Sequence, residues 1–168
     1  MKALTIWQPW ASLLACGAKR YETRSWPTRY RGPIAIHAAM ISPFRVSLSP
    51  ECKGVIADEV LNSHRCPLLR DMPRGAVIAT AELVNVWHIV YHPGLDVDTA
   101  SKIDIGAESM TNDKHDPHFG DYFVPTEKEI ILGDWTPGRY AWELSNVKML
   151  PEPIPIKGKQ GLWNWEGG

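Results

Sequence analysis

One polar stretch organises this 168-residue chain, and it reads Gly17-Ala18-Lys19-Arg20-Tyr21-Glu22-Thr23-Arg24. The apolar pattern before it predicts a helix from about Pro9 to Cys16, and Gly17 suits the position directly after a helix end. The residues after the turn are expected to be extended. Lys19, Glu22 and Arg24 therefore fall at a junction between helix and strand, where polar side chains are able to face a cavity.

The hydrophobic pattern outside this stretch predicts several long strands and few helices. With 44% hydrophobic and 22% charged residues, the chain has the composition of an ordinary globular domain, and its length suits one domain. The pattern shows no alternation of strand and helix that would indicate a parallel sheet, so we expect an α+β fold with a mostly antiparallel, barrel-like sheet. Strands are predicted at residues 3–7, 21–24, 33–39, 75–89 and 139–150, and helices at 9–16, 50–63 and 127–132.

Charge is distributed unevenly along the chain. Residues 1–40 hold six lysines and arginines against one carboxylate, Glu22, whereas the whole chain has a net charge of −1. We therefore expect an anionic partner to bind the N-terminal quarter. The near-zero total charge argues against wrapping a long nucleic-acid backbone, because many phosphate contacts need a broad basic surface. A nucleotide or a short single strand is the better size of ligand.

The sequence contains no apolar run long enough to span a membrane and no signal-peptide pattern at its start, so we expect a cytoplasmic protein that does not bind a membrane. Its three cysteines, Cys16, Cys52 and Cys66, are expected to be reduced thiols.

The tail from Pro151 to Trp165 is expected to pack back over the body. Residues 94–121 are rich in Asp and lose hydrophobic periodicity, which predicts a long surface excursion.

Lys19, Glu22 and Arg24 have two interpretations. Residues 22 and 24 of a strand point the same way, so a Glu and an Arg there form a fixed acceptor and donor, and Lys and Arg are suited to phosphate or carbonyl oxygens. A desolvated Lys also serves as a base or nucleophile. The alternative is a surface salt bridge at a turn, which spacing alone favours.

Three tryptophans flank the stretch, and aromatic faces next to basic groups are typical of sites that hold an unstacked base. Trp10 lies on the apolar stripe of the predicted helix and is expected to be mainly in the core. Trp26 precedes a proline and lies close to Arg24, so it is the preferred stacking residue. Trp7 is the third of the group.

Two further titratable residues lie within predicted strands. His37 is surrounded by apolar residues, which is more often typical of a hydrogen-bonded core histidine than of a catalytic one. Glu82 is predicted to be exposed, ion-paired or, if buried, suited to acid–base work. The histidine pairs His88/His92 and His115/His118 lack the cysteine spacing of a zinc site, so we expect no metal and no cofactor.

The pattern Gly17-x-Lys19-x-x-Glu22-x-Arg24, following Ile6-Trp7-Gln8-Pro9-Trp10-Ala11, resembles the ASCH domain family, in particular its bacterial and phage members. Further agreement comes from three segments, 34–38, 75–79 and 137–142, and from the ending 156–163. The resemblance covers nearly all of residues 1–168 as one ASCH domain, and a loop insertion is expected at about 94–125.

The resemblance implies a PUA-like fold, a small mixed or antiparallel β-barrel with surrounding helices and a cleft that the motif lines. It also implies RNA or nucleotide-related ligands. Some small family members are amidohydrolases that deacylate N4-acetylcytidine, and their motif lysine corresponds to Lys19. A hydroxyl residue stands in them where this chain has Glu22, and Glu82 and Glu129 are candidates for the further catalytic acid of these enzymes.

Three functions follow. The first is a binding module for single-stranded RNA or a modified nucleoside, with Lys19, Glu22 and Arg24 contacting the ligand. In it Trp26 stacks on a base, and Gln8, Trp10 and His37 complete the site. The second is an amidohydrolase of N4-acetylcytidine-type nucleosides with Lys19, Glu22 and Glu82 as catalytic candidates. The third is a metal-independent ribonuclease that uses Lys19, Glu22 and His37.

Overall fold

The chain forms an α+β fold around one mixed sheet. A computed structural model describes residues 1–61, 67–91, 105–109 and 121–167. Its helices are α1 (Trp10–Ala15), α2 (Pro50–Leu61) and α3 (Glu127–Ile131), with two 3₁₀ turns at Pro43–Arg45 and Leu69–Asp71. Its strands are β1 (Lys2–Ile6), β2 (Tyr21–Arg24), β3 (Gly32–Ala38), β4 (Ala76–Tyr91), β5 (Ile105–Ser109), β6 (Tyr122–Phe123), β7 (Tyr140–Pro155) and β8 (Leu162–Asn164).

The main path of the sheet runs β2-β7-β4-β3-β1-β8, with β5 on β4 and β6 on β5. The pair β1–β3 is parallel, and the other pairs are antiparallel. The prediction of a mostly antiparallel sheet is thus confirmed. Among the described strands no ladder joins β2 to β8, so closure into a barrel stays a prediction.

Two apolar clusters hold α1 against its surroundings. One lies between α1 and the sheet and contains Leu14, Ile36 and the fully buried Trp142. The other joins α1 to α2 and to the segment after α3 through Leu13 and Leu132. Burying one such leucine stabilises the fold by about 1.5–3 kcal/mol, so the end of α1 is firmly placed from both sides.

The turn between α1 and β2 forms as the sequence predicts. Gly17 adopts φ +76°, a backbone conformation that costs glycine little, and its N–H donates to the Leu14 carbonyl at 3.0 Å. Strand β2 then pairs with β7, placing Glu22 opposite Trp142. The polar stretch therefore lies on an edge strand directly after a buried helix.

The tail packs back over the body, as expected. Strand β8 pairs with β1, Trp163 and Trp165 are buried, and the N–H of Trp165 donates to the carbonyl of Met1 at 2.8 Å. The expectation of three reduced cysteines is wrong for Cys16, which is disulfide-bonded. Cys52 is a free, buried thiol, and burial raises its pKa.

Two sequence expectations fall mostly on undescribed residues. The acidic segment 94–121 and the insertion at about 94–125 lie largely outside the described part, although 105–109 and 122–123 form strands within them. His92, His115 and His118 also lie outside it.

In the part of the chain that the structure describes, no helix has the length and apolar character to cross a membrane.

Candidate functional site

The polar stretch forms one wall of a cavity of about 460 Å³, which we call the first pocket. A volume of this size is within the range of small-molecule sites. The end of β1 and the start of α1 contribute a second wall, and the segment after α3 contributes a third. The lining residues are Ile6, Trp7, Trp10, Glu22, Thr23, Arg24, Ile131, Leu132, Gly133, Asp134 and Arg139.

Glu22 is the central polar group of the first pocket. Its side chain is 10% exposed, and its two oxygens lie between two cations: Oε2 is 3.7 Å from Lys19 Nζ, and Oε1 is 3.7 Å from Arg24 Nε. Both distances are longer than a hydrogen bond. Among the described residues no group donates a hydrogen bond to this carboxylate. Both oxygens are therefore free to accept from a ligand.

Arg24 is fixed by the backbone of β1. Its Nη2 donates to the carbonyl of Thr5 at 2.7 Å, and its buried Nε has no hydrogen-bond partner in the described part of the chain. A guanidinium held at one corner presents its remaining donors in a fixed plane. Arg24 therefore supplies donors beside the Glu22 acceptor, in the arrangement that residues 22 and 24 of one strand predict.

Lys19 lies behind Glu22 and does not line the first pocket. The side chain is 1% exposed, its Nζ donates to the carbonyl of Tyr21, and its own N–H donates to the carbonyl of Leu13 at 3.0 Å. The interpretation as an exposed salt bridge is wrong for this residue, because the lysine is buried. In this arrangement Lys19 holds Glu22 and the β2 backbone in place.

The wall formed by residues 131–139 was missed by sequence reasoning. The N–H of Asp134 donates to Thr23 Oγ1 at 2.9 Å, which attaches this segment to β2. Arg139 Nε lies 3.2 Å from Asp134 Oδ2. The first pocket thus holds two carboxylates and two guanidinium groups, so its charges are balanced. The Gly133 and Pro137-Gly138 turn signals mark this loop, but nothing local indicates that it faces residues more than a hundred positions earlier.

The aromatic residues of the first pocket are Trp7 and Trp10, and Trp26, the preferred stacking residue, does not line it. Trp26 packs edge-on against Trp142, with ring centroids 4.7 Å apart, and its carbonyl accepts from the indole N–H of Trp142 at 3.3 Å. Trp7 is 54% exposed, and its backbone carbonyl accepts from the Ala11 N–H at 3.1 Å. Trp7 therefore presents an exposed aromatic side chain to the pocket from an anchored backbone.

Gln8 and His37 are not brought to the first pocket. The Gln8 amide is fully buried: its Nε2 donates to the Pro73 carbonyl at 2.7 Å, and its Oε1 accepts from the Ser12 N–H at 3.0 Å. His37 is buried at a different cavity, where Nε2 is 2.9 Å from the Ile156 carbonyl. Gln8 thus has a structural role and does not complete the first pocket, and the three residues of the ribonuclease hypothesis, Lys19, Glu22 and His37, do not meet in one cavity.

The two candidate acids have different surroundings. Glu82 is exposed on β4, lies outside the first pocket and accepts from Asn146 Nδ2 at 3.1 Å, so it is not the buried acid that catalysis needs. Glu129 is buried, and its Oε1 accepts from the Arg20 N–H at 2.7 Å. Its Oε2 is buried without a hydrogen bond in the described part of the chain.

Next to the first pocket, Arg20 and Tyr21 meet a carboxylate from β7. Glu143 pairs with the Arg20 guanidinium, and its Oε2 accepts from the Trp87 indole N–H at 2.7 Å. Burial, together with the nearby negative charge of Glu143, raises the pKa of Tyr21 to about 12. Of the six lysines and arginines in residues 1–40, Arg24 alone lines the first pocket, so the positive charge of the N-terminal quarter does not converge on it.

Two comparisons with known proteins agree with this architecture. The family model described as "ASCH domain" matches residues 4–154. Activating signal cointegrator 1 from Homo sapiens and its counterpart from Mus musculus are each 34% identical to this chain over 82 residues. These matches cover 49% of this chain but 14% of each relative, so they concern a small part of the relatives.

Proposed function

The chain belongs to the ASCH domain family, and from this membership and the chemistry of the first pocket we propose that it binds single-stranded RNA or a nucleotide. One unstacked base, or one modified nucleoside, occupies the pocket. Its ring stacks on Trp7, and its edge faces Glu22 and Arg24. RNA-binding proteins commonly recognise unstacked bases by stacking on them and by hydrogen bonds to the base edge.

The observation that carries the proposal is the state of Glu22. A mostly buried carboxylate that accepts no hydrogen bond from the described residues is costly unless a partner arrives, because buried polar groups are normally satisfied. The exocyclic amine of cytosine or adenine, or the N–H groups of guanine, supplies such donors. Arg24 and Arg139 supply donors for a base carbonyl or a phosphate oxygen.

A test compares single-stranded oligo(C), oligo(A) and oligo(U) with a duplex RNA, using fluorescence anisotropy. We expect oligo(C) and oligo(A) to bind more tightly than oligo(U), because an exocyclic amine offers two N–H donors to Glu22 whereas uracil offers only its N3–H, and we expect the duplex to bind weakly. Trp7→Ala removes the stacking surface. Phe44→Ala is the matched control, because Phe44 is also an exposed aromatic residue but lies outside the pocket. Equal binding by both variants, or no binding of any RNA by the unaltered protein, would contradict the proposal.

A second candidate is deacylation of N4-acetylcytidine. It is favoured by the contact of Lys19 Nζ with Glu22 Oε2, which places an amine next to a carboxylate that lines the pocket. Lys19 has to leave the Tyr21 carbonyl before it reaches a ligand, so binding is the better-supported function. The assay measures release of cytidine from N4-acetylcytidine by the unaltered protein and by Lys19→Ala. Release that is lost in a Lys19→Ala variant that still unfolds cooperatively would instead establish the deacylase activity.

A further inference from the structure

A second cavity, of about 720 Å³, lies across β1 from the first pocket. We call it the lysine cavity, because Lys157 and Lys159 line it together with Thr5, His37 and Gly158. None of its lining residues belongs to the polar stretch, and the function proposed above does not involve this cavity. The cavity lies at the loop between β7 and β8. Its charged lining residues therefore come mainly from this C-terminal loop and not from the N-terminal quarter.

The charge of the lysine cavity is of one sign. Its lining residues include no Asp or Glu. Lys157 and Lys159 are both exposed, and neither forms an ion pair within the described residues. The exposed Arg74 directly precedes Gly75, which also lines the cavity. Cations that are grouped without a neutralising carboxylate attract an anion.

The segment that bears the lysines is held in place by the body of the protein. The N–H of Ile156 donates to the Gly75 carbonyl at 3.0 Å, and the Ile156 carbonyl is 2.9 Å from His37 Nε2. Beyond the first lysine, Thr5 Oγ1 donates to the Lys159 carbonyl at 2.9 Å. These contacts fix the backbone on both sides of Gly158, so a ligand does not have to order this loop.

Gly158 allows the loop to lie directly against His37. A Cβ at residue 158 would lie 2.7 Å from His37 Nδ1 and 2.9 Å from Thr5 Oγ1, closer than real Cβ atoms approach other heavy atoms. This close approach places the backbone of the two flanking lysines next to Thr5, near the end of β1. Glycine at this position is consistent with a loop whose backbone has to approach the strand closely.

The two cavities are neighbours through one residue. Thr5 lines the lysine cavity, whereas Ile6 and Trp7 line the first pocket, and consecutive Cα atoms are about 3.8 Å apart. The Thr5 carbonyl also accepts the Arg24 hydrogen bond from the side of the first pocket. A ligand that contacts both cavities therefore has to cross the end of β1 next to Thr5.

We propose that the lysine cavity binds the phosphodiester groups of the single strand whose base occupies the first pocket. Lys157 and Lys159 contact phosphate oxygens, and the strand crosses the end of β1 between the two cavities. The inference rests on the proposed function, because it requires the base to be in the first pocket. It adds a second contact region that takes phosphate and does not distinguish bases.

The experiment measures binding of cytidine and of a short single-stranded RNA of mixed sequence to the unaltered protein and to Lys157→Ala/Lys159→Ala. The matched control is Lys53→Ala/Lys148→Ala, which removes the same charge from exposed lysines outside both cavities. The RNA affinity is measured over a series of salt concentrations. Thermal unfolding of each variant establishes that it is folded.

For the Lys157/Lys159 variant we expect roughly tenfold weaker RNA binding at moderate salt. The salt dependence, log K against log salt concentration, should have a slope smaller by about 1.4, from about 0.7 for each single-strand phosphate contact. Cytidine has no phosphate, so its affinity should be unchanged. An RNA affinity and salt slope equal to those of the control variant would overturn the inference while leaving the proposed function intact.

Two other outcomes separate the hypotheses. If neither cytidine nor RNA binds the unaltered protein, the proposed function fails, and the inference that rests on it fails too. If poly-L-glutamate competes with the RNA as well as a second RNA does, the lysine cavity takes acidic polypeptide, and the nucleic-acid assignment is overturned. Competition by RNA alone, lost in the Lys157/Lys159 variant, supports the inference.

Discussion

The first pocket and the lysine cavity lie on either side of β1 and differ in how their charges are held. In the first pocket Glu22 lies between Lys19 and Arg24, and Asp134 faces Arg139, so the charges are balanced and partly buried. In the lysine cavity the cations are exposed and have no carboxylate among the lining residues. Balanced, fixed groups distinguish one ligand edge from another, whereas unpaired exposed cations attract any phosphate.

This difference explains why net charge is a poor guide to this protein. The N-terminal quarter has an excess of five positive charges, yet Glu143 from β7 neutralises Arg20, and Glu22 accompanies Lys19 and Arg24. The unpaired cations of the lysine cavity come from the C-terminal loop. The comparison leads to four predictions, which are given from the largest expected effect to the smallest.

The largest effect is expected on stability, from Lys19→Met. Removing the buried ammonium group leaves the Tyr21 carbonyl without this donor and leaves Glu22 with one cation, so the free energy of unfolding should fall by about 3 kcal/mol. Lys157→Met, which replaces an exposed lysine, should change it by less than about 0.5 kcal/mol. Urea unfolding followed by circular dichroism measures both. Equal losses would show that the two regions do not differ in this way.

Trp7→Ala should weaken binding of single-stranded RNA by about 2 kcal/mol, or roughly thirtyfold, because stacking of one base is worth about 1–3 kcal/mol. Trp7→Phe should retain most of the affinity, since the ring face remains. The salt dependence of binding should stay unchanged, as the lysine cavity is intact. A change in the salt slope of Trp7→Ala would contradict the separation of stacking from phosphate contact.

Glu22→Gln should reduce the preference for oligo(C) over oligo(U) by about tenfold, or 1.4 kcal/mol, because hydrogen bonds to a charged acceptor are worth about 1.5–3 kcal/mol. The variant Lys157→Ala/Lys159→Ala should lower the affinity for both oligonucleotides equally and leave the preference unchanged. Competition binding at one salt concentration gives both ratios. An unchanged preference in Glu22→Gln would remove the assigned role of Glu22 in reading the base.

The smallest effect is a loss of stability at high pH that arises from Tyr21, next to the first pocket. The pKa of Tyr21 is raised from 10.0 to about 12, so the folded state binds its proton more tightly than the unfolded state does. This contribution is complete below pH 10 and is lost as the pH rises towards 12. We expect about 1 kcal/mol, discounted because the ring is only half-buried. Tyr21→Phe should abolish this component of the pH-dependent unfolding free energy.

Local pattern was sufficient for the three helices, for five of the eight strands among the described residues and for the location of the polar stretch, but it did not predict β5, β6 or β8. Gly17 ends α1, the alternation after it forms β2, and the long strands fall within a few residues of their predicted bounds. Helix ends and strand periodicity depend on neighbouring residues, so they are readable from the sequence alone. The resemblance to the ASCH domain family is confirmed by the match over residues 4–154, whereas the likeness to its bacterial and phage members stays a prediction.

The choice of residues within the site was decided by tertiary structure. Trp26 and Trp7 are both tryptophans close to the polar stretch, but Trp26 packs against Trp142 of β7, which leaves Trp7 to line the pocket. Gln8 is buried because the carbonyl of Pro73 lies within reach of its amide. In each case the deciding partner is more than sixty positions away, and no local spacing indicates it.

The sequence by itself determined that α1 ends before Gly17, where the three helices and five of the eight described strands lie, and that Lys19, Glu22 and Arg24 meet after Gly17. The tertiary structure decided that Lys19 lies behind Glu22, that residues 131–139 complete the first pocket, and that Lys157 and Lys159 lie across β1 from it. The physical reason is the range of the interactions. Turns and periodicity depend on adjacent residues, whereas burial and the grouping of charges depend on which distant strands pair.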